Sequence, residues 1–258
     1  MLKVSVQTNI GKTRSVNQDT VFVSCESVGP LPNLFIVADG MGGHNGGEIA
    51  SKAAITHFCD NIKSKGFSQN EGTLDLLTSA ARAANMGVIS QAEMNPDLSG
   101  MGTTLTACTI ETSTEVKKGF IVHIGDSRAY VITSGQRSSD QVITQLTNDH
   151  SYVNEMVKAG QITQNEAREH PKRNILTKAL GINTEMSADG YVFDIEPNSV
   201  ILLCSDGLYN MVPEDEIKSI INNSPQEPAT ALVKAANDRG GTDNISIAYL
   251  LREEGDLQ

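Results

Sequence analysis

The stretch LFIVADGMGGH (34–44) is an apolar run that stops at an aspartate and opens into a glycine-rich turn. Three more stretches repeat the pattern: GFIVHIGDSR (119–128), VILLCSDG (200–207) and GGTDNISIAYLL (240–251). An apolar run of this length bounded by glycine reads as a buried strand. Asp39, Asp126, Asp206 and Asp243 therefore fall at strand ends, where a carboxylate can face a cleft without entering the core. For any one Asp-Gly pair, a hairpin turn is the better account, because glycine supplies positive φ and aspartate tolerates it. Taken together the four say more. Asp39 opens GMGGH, which holds more glycine than one turn needs, and Asp126 and Asp243 follow glycine instead of preceding it. Several such acids converging make a cation site.

Working outward, strand patterns recur near 3–8, 20–24, 102–110, 116–124, 128–133, 142–146, 191–195, 199–204 and 244–251, many of them joined by short turns, which favours antiparallel pairing. Helical periodicity covers about 46–60 (Ile49, Ala53, Ala54 and Phe58 on one face) and 74–92 (Leu77, Ala80, Ala81, Ala84, Val88). It returns at 213–222, with Pro213 at the first position and acids in the first turn, and at 227–238 (Ala231, Leu232, Ala235, Ala236). Two one-sided helices early and two late predict an α+β fold, a central antiparallel β-sandwich with a helical layer on each outer face. Between 150 and 177 the pattern turns polar, with a Thr163–Glu166 capping box opening one short helix that Pro171 ends. This segment is either a surface insertion or a flap beside an active site.

The 258 residues, 39% hydrophobic, show no linker, repeat or charge block, so a single domain spanning 1–258 is expected. Tryptophan is absent and aromatics are 4%, so the core rests on aliphatic side chains. A net charge of −11 argues against a nucleic-acid partner. The longest apolar runs are about a quarter of a membrane span, and the start shows no signal-peptide pattern; a cytoplasmic protein without a membrane segment is the expectation. Cys25, Cys59, Cys108 and Cys204 lack metal-binding spacing and read as small buried hydrophobes.

Clustered carboxylates repel unless a cation sits among them. Oxygen donors select hard ions, Mg²⁺ or Mn²⁺. No two aspartates are two residues apart, which excludes an aspartyl-phosphate nucleophile of the D-x-D type and a calcium loop. The positions six residues after each cysteine hold Leu31, Lys65, Thr114 and Asn210, which excludes a Cys-x₅-Arg phosphatase, and no G-x-x-x-x-G-K loop exists. If the site handles phosphate, a metal-activated water must be the nucleophile. Arg14, five residues before Asp19, can grip two phosphoryl oxygens; taken by itself it reads first as a surface ion pair.

In order along the chain, Arg14-x-x-Asn17-Gln18-Asp19, Asp39-Gly40-Met41-Gly42-Gly43-His44, Gly102-Thr103-Thr104, Gly125-Asp126-Ser127-Arg128, Ser205-Asp206-Gly207 and Asp243-Asn244 resemble the motif series of the metal-dependent Ser/Thr protein phosphatases, the PPM or type 2C family, in its compact bacterial form. The likeness runs from residue 1 to about 251. It implies that Asp39 bridges two Mn²⁺ or Mg²⁺ ions, that the Gly40 carbonyl binds one, and that Asp206 and Asp243 complete the other site. Asp126, with Asp206, corresponds to the holder of a third ion, and Asp19 acts through a metal-bound water. Arg14 corresponds to the phosphoryl-binding residue and His44 to the proton donor for the leaving alkoxide; His44 could instead cap the helix that follows. The resemblance also implies phosphoserine and phosphothreonine proteins as substrates, an opposing Ser/Thr kinase and a monomer. A non-catalytic sensor or scaffold with the same fold is the alternative, against which every ligand position is present. Two positions depart from the pattern: Gln18 where many members carry Glu, and Met41 where eukaryotic relatives carry His. With an uncharged Gln18, the second ion is expected to bind more weakly than the first.

Overall fold

The structure, a computed structural model, describes residues 2–43, 46–65, 72–111, 117–133 and 141–253. Two antiparallel sheets face each other. In chain order the strands are β1 (Leu2–Asn9), β2 (Asp19–Ser24), β3 (Leu34–Met41), β4 (Gly102–Thr103), β5 (Leu105–Glu111), β6 (Lys118–Ile124), β7 (Arg128–Thr133), β8 (Val142–Gln145), β9 (Asp189–Asp194), β10 (Val200–Cys204) and β11 (Ile245–Arg252). One sheet runs β1-β11-β10-β7-β8; the other runs β2-β3-β5-β6-β9, with β4 added on β3.

The 34–38 run is apolar throughout because both of its faces are covered. Phe35 and Val37 point into the space between the sheets, where they meet Cys108, Ile110, Ile121, Ile201, Leu203, Ala248 and Leu250. Leu34, Ile36 and Ala38 point outward against α1 (Gly46–Ser64) and α2 (Thr73–Met94), through Phe58, Ile62, Leu77, Ala80 and Ala84. On the opposite face Val200, Leu202 and Cys204 pack against α5 (Asp206–Tyr209), α6 (Glu214–Asn223) and α7 (Pro228–Asp238) through Leu208, Ile217, Ile221, Leu232 and Ala236. Period-two alternation inside an unbroken apolar run thus divides each central strand between two cores. The result is the expected four-layer order of helices, sheet, sheet and helices.

Five details differ from the sequence reading. The 102–110 strand breaks at Thr104, whose backbone N–H and side-chain oxygen are both committed to Asp39. The polar segment holds two short helices, α3 (Tyr152–Lys158), capped by Ser151, and α4 (Gln164–Glu169), with its Thr163–Glu166 capping box. The first was missed because it buries only Val153. Pro213 sits at the N-cap of α6, one residue before the helix. In α7 the buried stripe is Ala229, Leu232, Val233 and Ala236, and Cys25 is exposed where burial was expected.

The close approach of β3 to the start of α1 is built on two glycines. A Cβ on Gly40 would lie 2.0 Å from the Gly47 carbonyl oxygen and 2.6 Å from that of Gln18; one on Gly47 would lie 2.6 Å from the Gly40 oxygen. Because the obstructing atoms are backbone, they cannot rotate away. Gly40→Ala is expected to lower stability by about 3 kcal/mol, read from the urea midpoint; a shift under about 1 kcal/mol would show that the two elements can part without cost.

Candidate active site

Antiparallel pairing brings the acidic strand ends to one rim of the sandwich. In the first sheet, the start of β7, the end of β10 and the start of β11 are neighbours, since Cys204 pairs with both Arg128 and Ile247. Asp126, Asp206 and Asp243 stand immediately outside those ends. In the second sheet, Asp19 pairs directly with Asp39 across β2 and β3, and residues directly opposite on neighbouring strands lie side by side on one face. A cavity of about 230 Å³ at this rim is lined by Arg14, Gln18, Asp39, Gly40, Thr104, Asp126, Asp206 and Asp243. It shares Asp126, Asp206 and Asp243 with a larger groove of about 640 Å³ that runs between the 150–177 segment and the Arg128–Tyr209 wall.

Each acid is oriented by its own neighbours. The Asp39 backbone is clasped on both sides: its N–H donates to Thr104 Oγ1 at 2.9 Å, and its carbonyl accepts from Thr104 N–H and Thr103 Oγ1, each at 2.9 Å. Ser205 Oγ donates to Asp19 Oδ2 at 2.7 Å. Asn210 Nδ2 donates to Asp206 Oδ2 at 3.0 Å. Arg14 Nη2 meets Asp243 Oδ2 at 2.7 Å, so its ion-pair partner is 229 positions away in sequence instead of the nearby Asp19. The loop carrying Arg14 is held by Asn244, whose side-chain oxygen accepts from Gln18 N–H and whose Nδ2 donates to the carbonyls of Ile10 and Val16.

The electrostatics are those of like charges forced together. Burial pushes Asp19 up to about 6, against the pull of the Ser205 hydrogen bond. Burial, then the charge of Asp149, pushes Asp126 up to about 7, with Arg128 opposing. Burial and the surrounding carboxylates hold Asp39 and Asp206 well above the ordinary aspartate range. Two buried oxygens, Asp19 Oδ1 and Asp206 Oδ1, have no hydrogen-bond partner, a costly condition for a carboxylate facing other carboxylates. Among the described residues no three ligating side chains yet close on one point. Asp243 is turned to Arg14, Asp206 to Asn210 and Asp19 to Ser205. The orphaned oxygens and the all-oxygen donor set fit hard divalent cations in kind.

The structure therefore brings together Arg14, Asp19, Asp39, Gly40, Asp126, Asp206 and Asp243. His44 lies outside the described residues. His123 is fully buried and satisfied by Thr106 and the Asn148 carbonyl, as its place in a strand suggested. Sequence reasoning missed Asp149, which pairs with Arg128 at 2.7 Å behind Asp126, and Asn174, which lines both cavities. Asp149 follows no apolar run, and Asn174 belongs to the polar segment, so neither carried a signal.

Known proteins show the same arrangement of chain. The family model described as protein phosphatase 2C matches residues 8–236. The serine/threonine phosphatase stp of Listeria monocytogenes is 36% identical over 250 residues, covering 96% of this chain and 94% of that one. The structure of the S. agalactiae serine/threonine phosphatase superposes with a TM-score of 0.85 at 34% identity, covering 98% of this chain and 100% of the other. The catalytic domain of the phosphatase PstP, solved in complex with two manganese ions, gives a TM-score of 0.82 at 31% identity, with 98% and 99% coverage. With its sandwich, its acidic rim and these relatives in agreement, the chain belongs to the protein phosphatase 2C family of protein-serine/threonine phosphatases.

Proposed function

We propose that this chain hydrolyses phosphoserine and phosphothreonine in proteins at the acidic rim, with Mn²⁺ or Mg²⁺ held by Asp19, Asp39, the Gly40 carbonyl, Asp126, Asp206 and Asp243. The observation that carries the reading is the convergence of four aspartates from four separate segments on one cavity, with a fifth, Asp19, paired beside Asp39; Asp19 and Asp206 each keep an unpartnered oxygen. Two ions, with a third at Asp126 and Asp206, match the donor set. When bound, such ions bring the pKa of a coordinated water toward neutrality and offset charge developing on the phosphoryl group.

The chain's own residues do the rest. Arg14 spends one N–H on Asp243, which orients the guanidinium at the cavity mouth and leaves further donors for phosphoryl oxygens. Asp39 and Asp206, at opposing walls, fix where the nucleophile can stand relative to Arg14. His44 is placed by its motif to return a proton to the leaving alkoxide. We read residues 1–258 as one catalytic domain, the 150–177 segment as its flap, and the protein as a cytoplasmic monomer opposing a Ser/Thr kinase, with no nucleic-acid partner. Among the described residues no helix is long and apolar enough to cross a membrane.

Hydrolysis of a phosphothreonine peptide and of an aryl phosphate, with Mn²⁺ and with EDTA, tests this reading; full activity in EDTA would overturn it. Arg14→Ala is expected to raise KM at least 10-fold while Mn²⁺ affinity changes less than threefold, since the residue addresses substrate more than metal. Unchanged kinetics would remove it from the site. Because Gln18 supplies no charge, calorimetric Mn²⁺ titration should resolve unequal steps, one at least 10-fold weaker; two equally tight steps would refute the role given to this position.

A further inference from the structure

His150 takes no part in the scheme above, yet it is almost fully buried and its hydrogen bonds join two functional segments. Its backbone N–H donates to the Gly125 carbonyl at 2.7 Å, and its ring Nδ1 accepts the Gly125 N–H at 3.1 Å. Its own carbonyl accepts from Thr177 N–H at 2.8 Å, at the return of the 150–177 segment, where Ser151 also bridges Leu176. Nε2 lies 3.2 Å from Asp189 Oδ2, and one face of the ring stacks on His123 with centroids 5.0 Å apart. Because Nδ1 accepts a hydrogen bond from the Gly125 amide, the ring hydrogen sits on Nε2, directed at Asp189. Asp189 is held in turn by Lys178 at 3.0 Å.

Gly125 immediately precedes Asp126 and has φ +104, a conformation that leaves its peptide groups dependent on partners for orientation. The rest of the turn is anchored by Ser127 on Thr104 and by Tyr209 on the Asp126 carbonyl. On the Gly125 side, the two hydrogen bonds from His150 do the anchoring.

We propose that His150 is a positioning residue for Asp126: by accepting the Gly125 N–H, its ring sets the aim of the Asp126 carboxylate and ties that aim to the root of the flap. The inference rests on Asp126 being a metal ligand, as read above. Partners standing behind ligands of this kind are worth about 10–100-fold in metal affinity.

Two substitutions separate the two ring nitrogens. Asn reaches as far as Nδ1 and keeps an acceptor for Gly125; Gln reaches as far as Nε2 and loses it. Calorimetric Mn²⁺ titration of the full chain, with Asp126→Asn as reference, and the amide proton shift of Gly125 are the readouts. His150→Gln should move the Gly125 amide signal and weaken, by about 10-fold, the same Mn²⁺ step that Asp126→Asn removes, leaving the tightest step within about threefold. His150→Asn should keep both readouts near wild type. Equal behaviour of the two variants, or a uniform loss of every Mn²⁺ step in parallel with the melting temperature, would overturn the proposal. If Asp126→Asn removes no step, the ligand assignment fails; the clasp itself is then judged by the Gly125 signal, which must still move in the Gln variant alone.

Discussion

Asp39→Asn is expected to lower kcat on a phosphothreonine peptide by about 10³-fold or more at saturating Mn²⁺, while leaving the protein folded. The change is nearly isosteric and removes only charge. Asp39 is the acid most surrounded by others: Asp19, Asp206, Asp126 and Asp243 all raise its pKa after burial itself. An amide there would offer only an uncharged oxygen, so ions held at the rim would lose an anionic ligand. Its backbone, clasped by Thr103 and Thr104, is indifferent to the substitution. In EDTA the variant should therefore melt at a higher temperature than wild type near pH 7.5, because one member of a repelling group has gone. Activity within 10-fold of wild type would refute the bridging role, and a lower melting temperature in EDTA would show that the charge serves the fold.

The second large effect is a pH dependence of stability that should disappear on metal loading. Asp19, at about 6, and Asp126, at about 7, hold protons in the folded state that an unfolded aspartate has lost by about pH 4. Between about pH 4 and 7 the folded chain thus binds more protons than the unfolded one, so stability falls as pH rises through that window. Asp39 and Asp206, also held well above the ordinary aspartate range, act in the same direction. In EDTA the melting temperature should drop by about 5 °C or more between pH 4.5 and 7.5. With Mn²⁺ in excess the drop should vanish or reverse, since ions that bind only the folded, deprotonated carboxylates compete with protons and stabilise by mass action. A flat profile in EDTA would mean that the carboxylates are not crowded in solution as they are in the structure.

Much of this molecule can be read without coordinates because its signals are local. An apolar run covered on both faces has a composition no surface strand has, so β10 and β11 were legible within a residue, and β3 except for its last three residues, which run past Asp39 to Met41. The one-sided helix α2 was legible within two residues, and α1 except for its last turn. The strand ends followed, and with them Asp39, Asp126, Asp206 and Asp243. Where packing constraints are weak the reading thinned. Helix α3 buries a single valine, and the break at Thr104 arises from a contact with Asp39 that lies 65 positions away.

The sequence alone determined the layer order, the identity of the acids and the exclusion of cysteine, aspartyl and P-loop phosphate chemistry, since residue type and short spacing suffice for each. Which of those acids face one another, that Arg14 pairs with Asp243, and that His150 stands behind Gly125 were decided only in the tertiary structure. These depend on strand register and on contacts such as Arg14–Asp243 between segments 229 residues apart, and the energy that selects them comes from the packing of both sheets at once.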